Sequence, residues 1–490
     1  MSRTSSGHDV APFLENSFQS LVYRIRSDCK LVQQELVPVS ADRYTLALMH
    51  EMYFEEAVEH LLSLGHETLT IKLGLRNTEL LLRELGNPER SFPAVQIAGT
   101  NGKGSTAAFL NAICRSAGIK SGLYTSPHLH SITERIEIGG TEISGKEFAQ
   151  HATEVRTAAE LLLKHRKIEA LPTFFEQVTA IALVSFRQAQ IDHAILETGL
   201  GGRLDSTTAA NAQVCAITQI AFDHEEYLGN TLEEIAAEKA AIIRPGMKVV
   251  VAPQEPEVLD VILERCEEVG VEPLLSGINF KVDQMSADGR CQVTFETSTR
   301  RYEKIWLGLR GRHQIENAAL AIQLAEILRT QRFSISQSAI VTGLESARHP
   351  GRLELISARP AFLLDGAHNV AGARTLQSFL EEFARRPLTM IFGAMRDKRI
   401  EEIAEVLFPL ADQLILTPIQ NPRAASIEKL NQIAKKFDRG QNKNVATSLE
   451  AINLATQTTA SSGMICVTGS LYLIGETRSL IINRSESVSA

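Results

Sequence analysis

The fold is decided by the stretch VQIAGTNGKGST, residues 95–106, in which an apolar strand runs into a glycine-rich turn. A helix is expected to follow at once, from Ser105 to Ala117. Glycines let the backbone wrap around an anion, and a helix N-terminus adds a partial positive charge. The spacing departs from the usual GxxxxGK(S/T) phosphate loop, and the alternative is a tight turn with no ligand. With its lysine and hydroxyls, the turn predicts a set of phosphate-binding residues: Gly99, Thr100, Asn101, Gly102, Lys103, Gly104 and Ser105.

Short apolar runs alternate with helical patterns around this turn. The expected strands of the first half are 94–98, 121–125, 194–197, 214–220 and 249–252, with helices such as 174–189 and 231–243 between them. This alternation implies a mainly parallel sheet with helices on both faces. Residues 270–308 differ, because their alternating pattern and few helix signals predict a small antiparallel sheet. A helix over Asn317–Leu328 is expected to follow it.

The pattern breaks near residues 347–352 and then restarts, which predicts a domain boundary there. Beyond it we expect strands at 361–364, 388–392, 413–417 and 464–468, with helices at 371–384, 399–408 and 426–436. Upstream we expect a helix that ends near Gly65 and a second helix capped by Asn77. The predicted fold is α/β, with a weakly structured leader (1–45), a P-loop-type parallel-sheet domain with helices on both faces (46–346) and a smaller Rossmann-like C-terminal domain (347–490).

Composition excludes several classes of protein. The 490 residues are 44% hydrophobic and 22% charged, which is typical of a globular protein and not of a disordered chain or a fibre. No apolar run approaches the roughly 18 residues of a membrane span. The net charge of −8 (50 − 58) gives no basic field for nucleic acid. Six scattered cysteines and a start without an apolar signal core favour a reducing compartment, so we expect a cytoplasmic protein with no membrane or nucleic-acid partner.

A series of ordered motifs resembles the folylpolyglutamate synthase and dihydrofolate synthase family, within the wider group of Mur-type amide ligases. The resemblance covers about residues 55–475, with small departures at Ala241 and Val370, where family members usually have Gly and Pro. The matching blocks are GTNGKGS (99–105), TSPHL (125–129), ETGLGGRLD (197–205), DH (223–224), EK (238–239), HQIENA (313–318), PGR (350–352) and DGAHN (365–369).

The first domain is expected to hold a metal ion beside the phosphate loop. Glu197, His224 and Ser126 each follow a strand, and ligands collect at the carboxyl ends of parallel strands. A few such ligands plus phosphate oxygens suit Mg²⁺. The resemblance implies that these three residues hold Mg²⁺, with room for a second divalent or a monovalent cation. It also implies that Lys239 is carbamylated, whereas a lysine on a helix face is ordinarily a solvated charge.

The second domain is expected to complete a nucleotide site. The resemblance implies that Asp365 contacts the ribose of ATP and that His368 lies near the phosphates. Arg352, in the linker, would reach the phosphates and neutralise developing charge. Asn317 would bind adenine from the first domain. The catalytic residues implied in this way are Lys103, Lys239, His224 and Arg352.

The implied activity is ATP-dependent addition of L-glutamate to a reduced folate, and to dihydropteroate, through an acyl phosphate. Phe174 and Phe175 could stack on a pterin ring, although one of them could instead be a core aromatic. Asp205 matches the acid that contacts dihydropteroate in bifunctional members of the family. The expected partners are these small molecules, and a monomer is expected. Two alternatives remain at this stage: a Mur-type ligase acting on another carboxylate, such as a cell-wall precursor, and a nucleotide-binding regulator without ligase activity.

Overall fold

The structure is a computed structural model that describes residues 51–65, 74–437 and 442–489. The predicted leader at 1–45 lies outside the described residues. No helix in the described part of the chain is long and apolar enough to cross a membrane. The helices, numbered in chain order, are α1 Phe54–Ser63, α2 Arg76–Glu84, α3 Lys103–Ser116, α4 Gly145–Lys164, α5 Phe174–Gln188, α6 Glu225–Leu228, α7 Leu232–Ala240, α8 Pro256–Glu268, α9 Gln314–Gln331, α10 Gln337–Ser346, α11 Val370–Phe383, α12 Ile400–Leu407, α13 Ile427–Ala434, α14 Ser448–Thr458 and α15 Leu471–Ser489.

The first sheet has eight strands in the spatial order β4-β3-β2-β5-β1-β6-β7-β8. All neighbours from β2 to β8 are parallel, and β3 and β4 form an antiparallel edge. Central strands are buried on both faces and therefore appear in the sequence as continuous apolar runs. The strands are β1 Ala94–Ala98, β2 Ser121–Tyr124, β3 Ile136–Ile138, β4 Thr141–Glu142, β5 His193–Glu197, β6 Val214–Ile217, β7 Lys248–Val251 and β8 Pro273–Leu275.

Two apolar cores flank this sheet, because alternate residues of a strand point to opposite faces. Ala94 and Ala98 of β1 pack into the core that includes α4 and α5. Val95 and Ile97 pack on the other face, against α3, α9 and α10. The predicted parallel sheet with helices on both faces is therefore confirmed.

A small antiparallel sheet extends the second core, as predicted for residues 270–308. Its three strands are β9 Asn279–Met285, β10 Arg290–Glu296 and β11 Arg301–Arg310, in the order β11-β10-β9. The start of that segment was predicted wrongly, because β8 adds in parallel to the edge of the large sheet. Strand β8 is only three residues long and begins with a proline, so its short apolar run does not indicate a strand.

The C-terminal sheet has the order β12-β13-β17-β14-β15-β16 and is parallel except for β12. Helices on both faces give it the predicted Rossmann-like layers, with separate cores around α11 and α14. Its strands are β12 Glu354–Ile356, β13 Ala361–Leu364, β14 Leu388–Phe392, β15 Gln413–Leu416, β16 Lys443–Asn444 and β17 Met464–Thr468.

Three predicted helix starts differ from the observed ones by two residues or more. Helix α3 begins at Lys103 and not at Ser105, because Gly102 takes φ +93° and completes the turn two residues earlier. Asn77 lies inside α2, whose N-cap is Leu75, so it does not cap the helix. Helix α9 begins at Gln314, which places Asn317 in its first turn.

Candidate active site

The phosphate loop leaves β1 at the edge of the sheet where the neighbouring strands also end. Ile97 stands opposite Glu197 of β5, and Ala98 stands opposite Ile217 of β6. Gly99 has φ +142°, and a Cβ there would lie 2.9 Å from the backbone oxygen of Thr218. A side chain at Gly102 would meet Oδ1 of Asn317 at 2.3 Å. Both positions therefore require glycine for conformation and for space.

Hydrogen bonds fix this loop to the chain that follows β6. The amides of Thr100 and Asn101 both donate to the carbonyl oxygen of Gln219, at 2.9 and 3.1 Å. The Thr100 hydroxyl donates to the Ala221 carbonyl at 3.0 Å and accepts from the Ala221 amide at 3.1 Å. These two loop amides are thus engaged within the protein. The predicted contacts of Thr100 and Asn101 with phosphate stay predictions.

Two lysines converge on the carbonyl oxygen of Gly99. Lys103 Nζ donates to it at 3.1 Å and to the Thr100 carbonyl at 3.0 Å, and Lys239 Nζ donates to the Gly99 carbonyl at 2.9 Å. Burial lowers the pKa of Lys103, although the Glu197 carboxylate opposes this shift. Burial and the charge of Lys103 together lower the pKa of Lys239 to about 7. The loop therefore holds one ammonium group beside an amine that titrates near neutral pH.

The residues predicted to bind metal line the same cleft, whose volume is about 160 Å³. The Ser126 amide donates to Glu197 Oε2 at 3.1 Å, which fixes the buried carboxylate. Burial raises the pKa of Glu197, while the charge of Lys103 opposes the shift. His224 has φ +53°, and its buried Nδ1 has no hydrogen-bond partner in the described part of the chain. Burial lowers the pKa of His224 to about 3, so its imidazole is neutral.

The opposite wall of the cleft comes from the linker and the C-terminal domain. Asp365 accepts from the amides of Leu353 at 2.9 Å and Ala367 at 3.0 Å, so its carboxylate organises the turn after β13. His368 Nδ1 lies 2.8 Å from the carbonyl oxygen of Gly366. Arg352 lines the cleft, as does Asn317 from the first domain, and Asn317 Nδ2 donates to Gln314 Oε1 at 2.9 Å.

Asp223 joins the two walls, and sequence reasoning did not assign it a role. Its carboxylate lies 2.5 Å from Lys398 Nζ, 3.3 Å from His368 Nε2 and 3.2 Å from Asn369 Nδ2. Burial acts to raise its pKa, but His224, His368 and Lys398 hold the pKa well below its ordinary range. Asn369 also donates to Asn101 Oδ1 at 3.1 Å. Lys398 follows β14 and Asp223 follows β6, so strand-end position was the signal that could have identified both.

Comparison with known proteins assigns the family. Residues 97–325 match the Mur ligase middle domain, and residues 351–471 match the Mur ligase, glutamate ligase domain. The dihydrofolate synthase/folylpolyglutamate synthase of Bacillus subtilis is 36% identical over 84% of this chain and 96% of its own length. The chain belongs to the dihydrofolate synthase and folylpolyglutamate synthase family. It is an ATP-dependent, amide-forming ligase of the Mur type.

Solved structures of this ligase family are similar to the chain over most of its length. A Mycobacterium tuberculosis folylpolyglutamate synthase complexed with ADP has a TM-score of 0.81 and 32% identity, covering 88% of this chain and 99% of that one. The Escherichia coli FolC protein, in complex with DHPP and ADP, has a TM-score of 0.78 and 30% identity, covering 89% and 99%.

A second cavity of about 410 Å³ adjoins the cleft of the ligase and is largely apolar. Phe175 lines it and packs on the backbone at Gly199, where an added Cβ would lie 2.4 Å from the ring. Phe174 instead is buried in the core, with the Arg135 guanidinium 5.4 Å from its ring centre. Of the two predicted aromatics, Phe175 alone faces this cavity, and Phe174 is a core residue.

Asp205 also lines the larger cavity, but its carboxylate is already engaged with the loop that carries it. It accepts from the amides of Gly199 and Leu200 at 2.9 Å each, and from the amide of Thr207 at 3.0 Å. The Thr207 hydroxyl donates to the same oxygen at 2.5 Å. Asp205 therefore shapes the cavity wall, and its predicted direct contact with substrate stays a prediction.

Proposed function

We propose that the ligase adds L-glutamate to dihydropteroate and to reduced folates, with ATP activating the acceptor carboxylate. The observation that carries this proposal is that the phosphate-loop cleft and the apolar cavity share a wall, so a terminal phosphate in one would meet an acid in the other. A pterin suits the cavity because Phe175 offers a flat aromatic face. The residues that line both are Ser126, Pro127, Gly199, Leu200, His224, His368 and Leu471.

The proposed chemistry needs charge neutralisation and exclusion of water more than it needs a nucleophilic side chain. An oxygen of the substrate carboxylate attacks the γ-phosphorus of ATP and breaks the bond to the bridging oxygen, which gives an acyl phosphate and ADP. The glutamate nitrogen then attacks the acyl carbon, loses a proton, and phosphate leaves. Lys103 and Arg352 face the cleft from opposite walls and would neutralise the charge that develops on the phosphoryl oxygens.

Residues that line the cleft from both domains are available to bind the nucleotide. We infer that Asn317 binds the adenine, Asp365 the ribose, and His368 and Arg352 the phosphates. Asp365 suits a ribose hydroxyl because the amides of Leu353 and Ala367 hold its carboxylate in place. Measuring ADP affinity in an Asp365→Ala variant tests this role, and unchanged affinity would contradict it.

The donors around the cleft fit Mg²⁺. The Glu197 carboxylate and the Ser126 hydroxyl are oxygen ligands of the kind that Mg²⁺ prefers alongside phosphates. His224 adds a neutral imidazole whose Nδ1 is buried and without a protein partner. Bound Mg²⁺ would neutralise phosphate charge, and a second divalent or monovalent cation would share these ligands. Activity that survives exhaustive chelation would exclude the metal.

Lys239 is proposed to carry a carbamate. Its amine is buried, hydrogen-bonded to Gly99, and has a pKa of about 7. A neutral amine attacks the carbon of CO₂, and the loss of one proton from the nitrogen leaves a carbamate in place of the amine. The negative charge would relieve the repulsion between Lys239 and Lys103. Intact-mass analysis of active enzyme under native conditions should show the added CO₂, and an unmodified mass in fully active enzyme would exclude it.

The proposed reaction is tested by glutamate-dependent phosphate release with ATP on dihydropteroate and on tetrahydrofolate. Turnover with both supports the full proposal, and turnover with one restricts the ligase to that acid. Turnover only with a UDP-sugar acid would make it a Mur-type ligase of another pathway. Nucleotide binding without any amide product would make it a regulator.

We also propose that the enzyme acts as a cytoplasmic monomer. All five cysteines in the described residues are buried, unpaired thiols, which suits a reducing compartment. The catalytic cleft is lined from within one chain, so no second copy is needed to complete it. Sedimentation at assay concentration tests the monomer, and fractionation of cells tests the compartment.

A further inference from the structure

Two consecutive ion pairs join the chain around His224 to the turn after β14. Asp223 pairs with Lys398, as described above, and Glu225 pairs with Arg399. In the second pair Arg399 Nε donates to Glu225 Oε1 at 2.8 Å, and Nη2 donates to Oε2 at 2.5 Å. The second domain therefore forms ion pairs with the residues on both sides of His224.

The Arg399 guanidinium also covers an aromatic ring of the same segment. Its carbon lies 4.8 Å from the ring centre of Phe222. A bidentate guanidinium–carboxylate pair fixes the angle as well as the distance between its partners. Stacking on Phe222 adds a third direction of restraint. The side chains of residues 222, 223 and 225 are thus all held by the C-terminal domain.

His224 is the residue that needs such restraint. Its backbone lies in the left-handed region, at φ +53° and ψ 38°, which a residue with a Cβ adopts only at a cost in energy. Residues in such a conformation persist where contacts of the surrounding structure hold the backbone in place. Its Nδ1 is buried without a hydrogen-bond partner in the described part of the chain, so no hydrogen bond at that atom orients the ring.

We propose that the Arg399–Glu225 pair, termed the rim clamp, positions His224 across the domain interface, which makes Arg399 a positioning residue. The inference rests on the proposed function, since it takes His224 to act beside the metal and the phosphates. The clamp completes the site only when the two domains are closed. Lys398 and Asp223 are buried at the cleft, whereas the side chains of Arg399 and Glu225 are 40% and 26% exposed at its rim. Loss of such an exposed pair has little effect on folding.

A second bidentate pair between the domains supplies a matched control. Arg312 donates to the two carboxylate oxygens of Glu382, on α11, at 2.7 and 3.1 Å. The side chains of Arg312 and Glu382 are 55% and 38% exposed, so this pair, like the rim clamp, lies partly in solvent. Neither residue is among the described residues that line the cleft or the apolar cavity. Loss of the Arg312–Glu382 pair therefore weakens the interface between the domains without changing the segment around His224.

The experiment compares Glu225→Gln and Arg399→Gln with Glu382→Gln in the full-length enzyme. We expect kcat for glutamate-dependent phosphate release to fall about 10-fold in the first two variants, the lower end of the cost of losing a residue that supports a ligand from outside its direct contacts. Glu382→Gln should keep wild-type kcat, and all three should share one melting temperature. Arg399→Lys keeps the positive charge but loses the bidentate hydrogen bonds to Glu225. The kcat of Arg399→Lys should therefore lie between those of wild type and Arg399→Gln.

A second measurement does not depend on turnover. Binding of Mn²⁺ in the presence of a non-hydrolysable ATP analogue, followed by electron paramagnetic resonance, should weaken about 10-fold in Glu225→Gln and not in Glu382→Gln. Equal losses in the two variants would reduce the clamp to an ordinary interface contact, and no loss in Glu225→Gln would overturn the proposal. If the wild-type enzyme does not ligate glutamate to pterin acids, the proposed function fails while the Mn²⁺ arm still decides whether the clamp positions His224.

Discussion

The two walls of the active-site cleft are organised differently. The first wall belongs to the domain that carries the phosphate loop, and the second wall to the linker and the C-terminal domain. In the first wall the phosphate loop is held within its own domain, by the Gln219 carbonyl and the Ala221 peptide. In the second wall, His368 and Asn369 reach across the interface to Asp223. The hydrogen bonds from the loop to Gln219 and Ala221 therefore lie within one domain, whereas His368 and Asn369 also depend on the contact with Asp223 of the other domain. Binding of phosphate and catalysis should thus be separable, and the predictions below test that separation.

Lys103→Ala should have the largest effect, because it removes a lysine that is bonded to two carbonyls of the loop that carries it. We expect kcat to fall about 1,000-fold, at the upper end of what one preorganised charge contributes. Loss of Lys103 should also raise the pKa of Lys239, since repulsion between the two lowers it. Steady-state phosphate release measures the first effect. Lys146→Ala, at an exposed lysine at the start of α4, is the control, and more than a tenth of wild-type turnover in Lys103→Ala would contradict the role.

Arg352→Ala should remove a positive charge from the second wall and leave the phosphate loop and Lys103 of the first wall unchanged. We expect kcat to fall about 100-fold, because a charge that acts on the transferring phosphoryl group is lost. ADP affinity should fall much less, since the loop and Lys103 remain. Calorimetric titration with ADP beside steady-state kinetics separates the two quantities. A loss of ADP affinity as large as the loss of kcat would mean that the second wall binds as much as it catalyses.

Gly475→Ala should keep both walls and push them apart. A Cβ at Gly475, on α15, would lie 1.8 Å from the Leu129 carbonyl oxygen, in the loop that follows Ser126. Alanine in a helix is favoured over glycine by about 1 kcal/mol, so the helix itself should not suffer. We expect kcat to fall about 10-fold, part of the roughly 100-fold that a 1 Å displacement can cost.

Small-angle scattering with ADP and acceptor should then show a less compact Gly475→Ala protein than wild type. Gly277→Ala is the control, because nothing lies within 4 Å of a Cβ at that position. Equal compaction of wild type and Gly475→Ala, together with equal kcat, would show that this contact does not limit domain closure.

The sequence predicted the first wall better than the second for a physical reason. Strands β1, β5 and β6 are buried on both faces, so they appear as apolar runs and the residues that follow them can be placed at one edge of the sheet. Edge strands such as β4 and β12 are only two or three residues long and are not fully buried. Strands this short give no apolar run that the sequence analysis could recognise, so β4 and β12 were not predicted.

Contacts between the domains could not be predicted from the sequence. Lys398 and Asp223 are 175 residues apart, and Arg399 and Glu225 are 174 apart, so no local spacing connects them. Their pairing depends on how two folded domains dock. Asp205 shows a related limit: its residue type and place in a motif predicted a substrate contact, while the observed bonds to Gly199 and Leu200 depend on the exact course of the loop.

The smallest expected effect concerns the charge of the first wall, which should vary with pH through Lys239. With a pKa of about 7, roughly a tenth of the amines are neutral at pH 6 and roughly nine-tenths at pH 8. Only the neutral amine reacts with CO₂, so carbamate formation should rise with pH. Enzyme depleted of CO₂ should regain rate by a few fold when dissolved CO₂ is restored at pH 8, and by less at pH 6 at equal CO₂.

Lys239→Arg is the matched variant, because it keeps a positive charge that cannot form the carbamate. Its rate should not respond to CO₂ at either pH. Arg352, in the second wall, cannot form a carbamate, so Arg352→Ala should lower the rate without changing the response to CO₂. A response of equal size at pH 6 and pH 8, or one that persists in Lys239→Arg, would separate the CO₂ effect from this lysine and leave the first wall with a charge that does not change with pH.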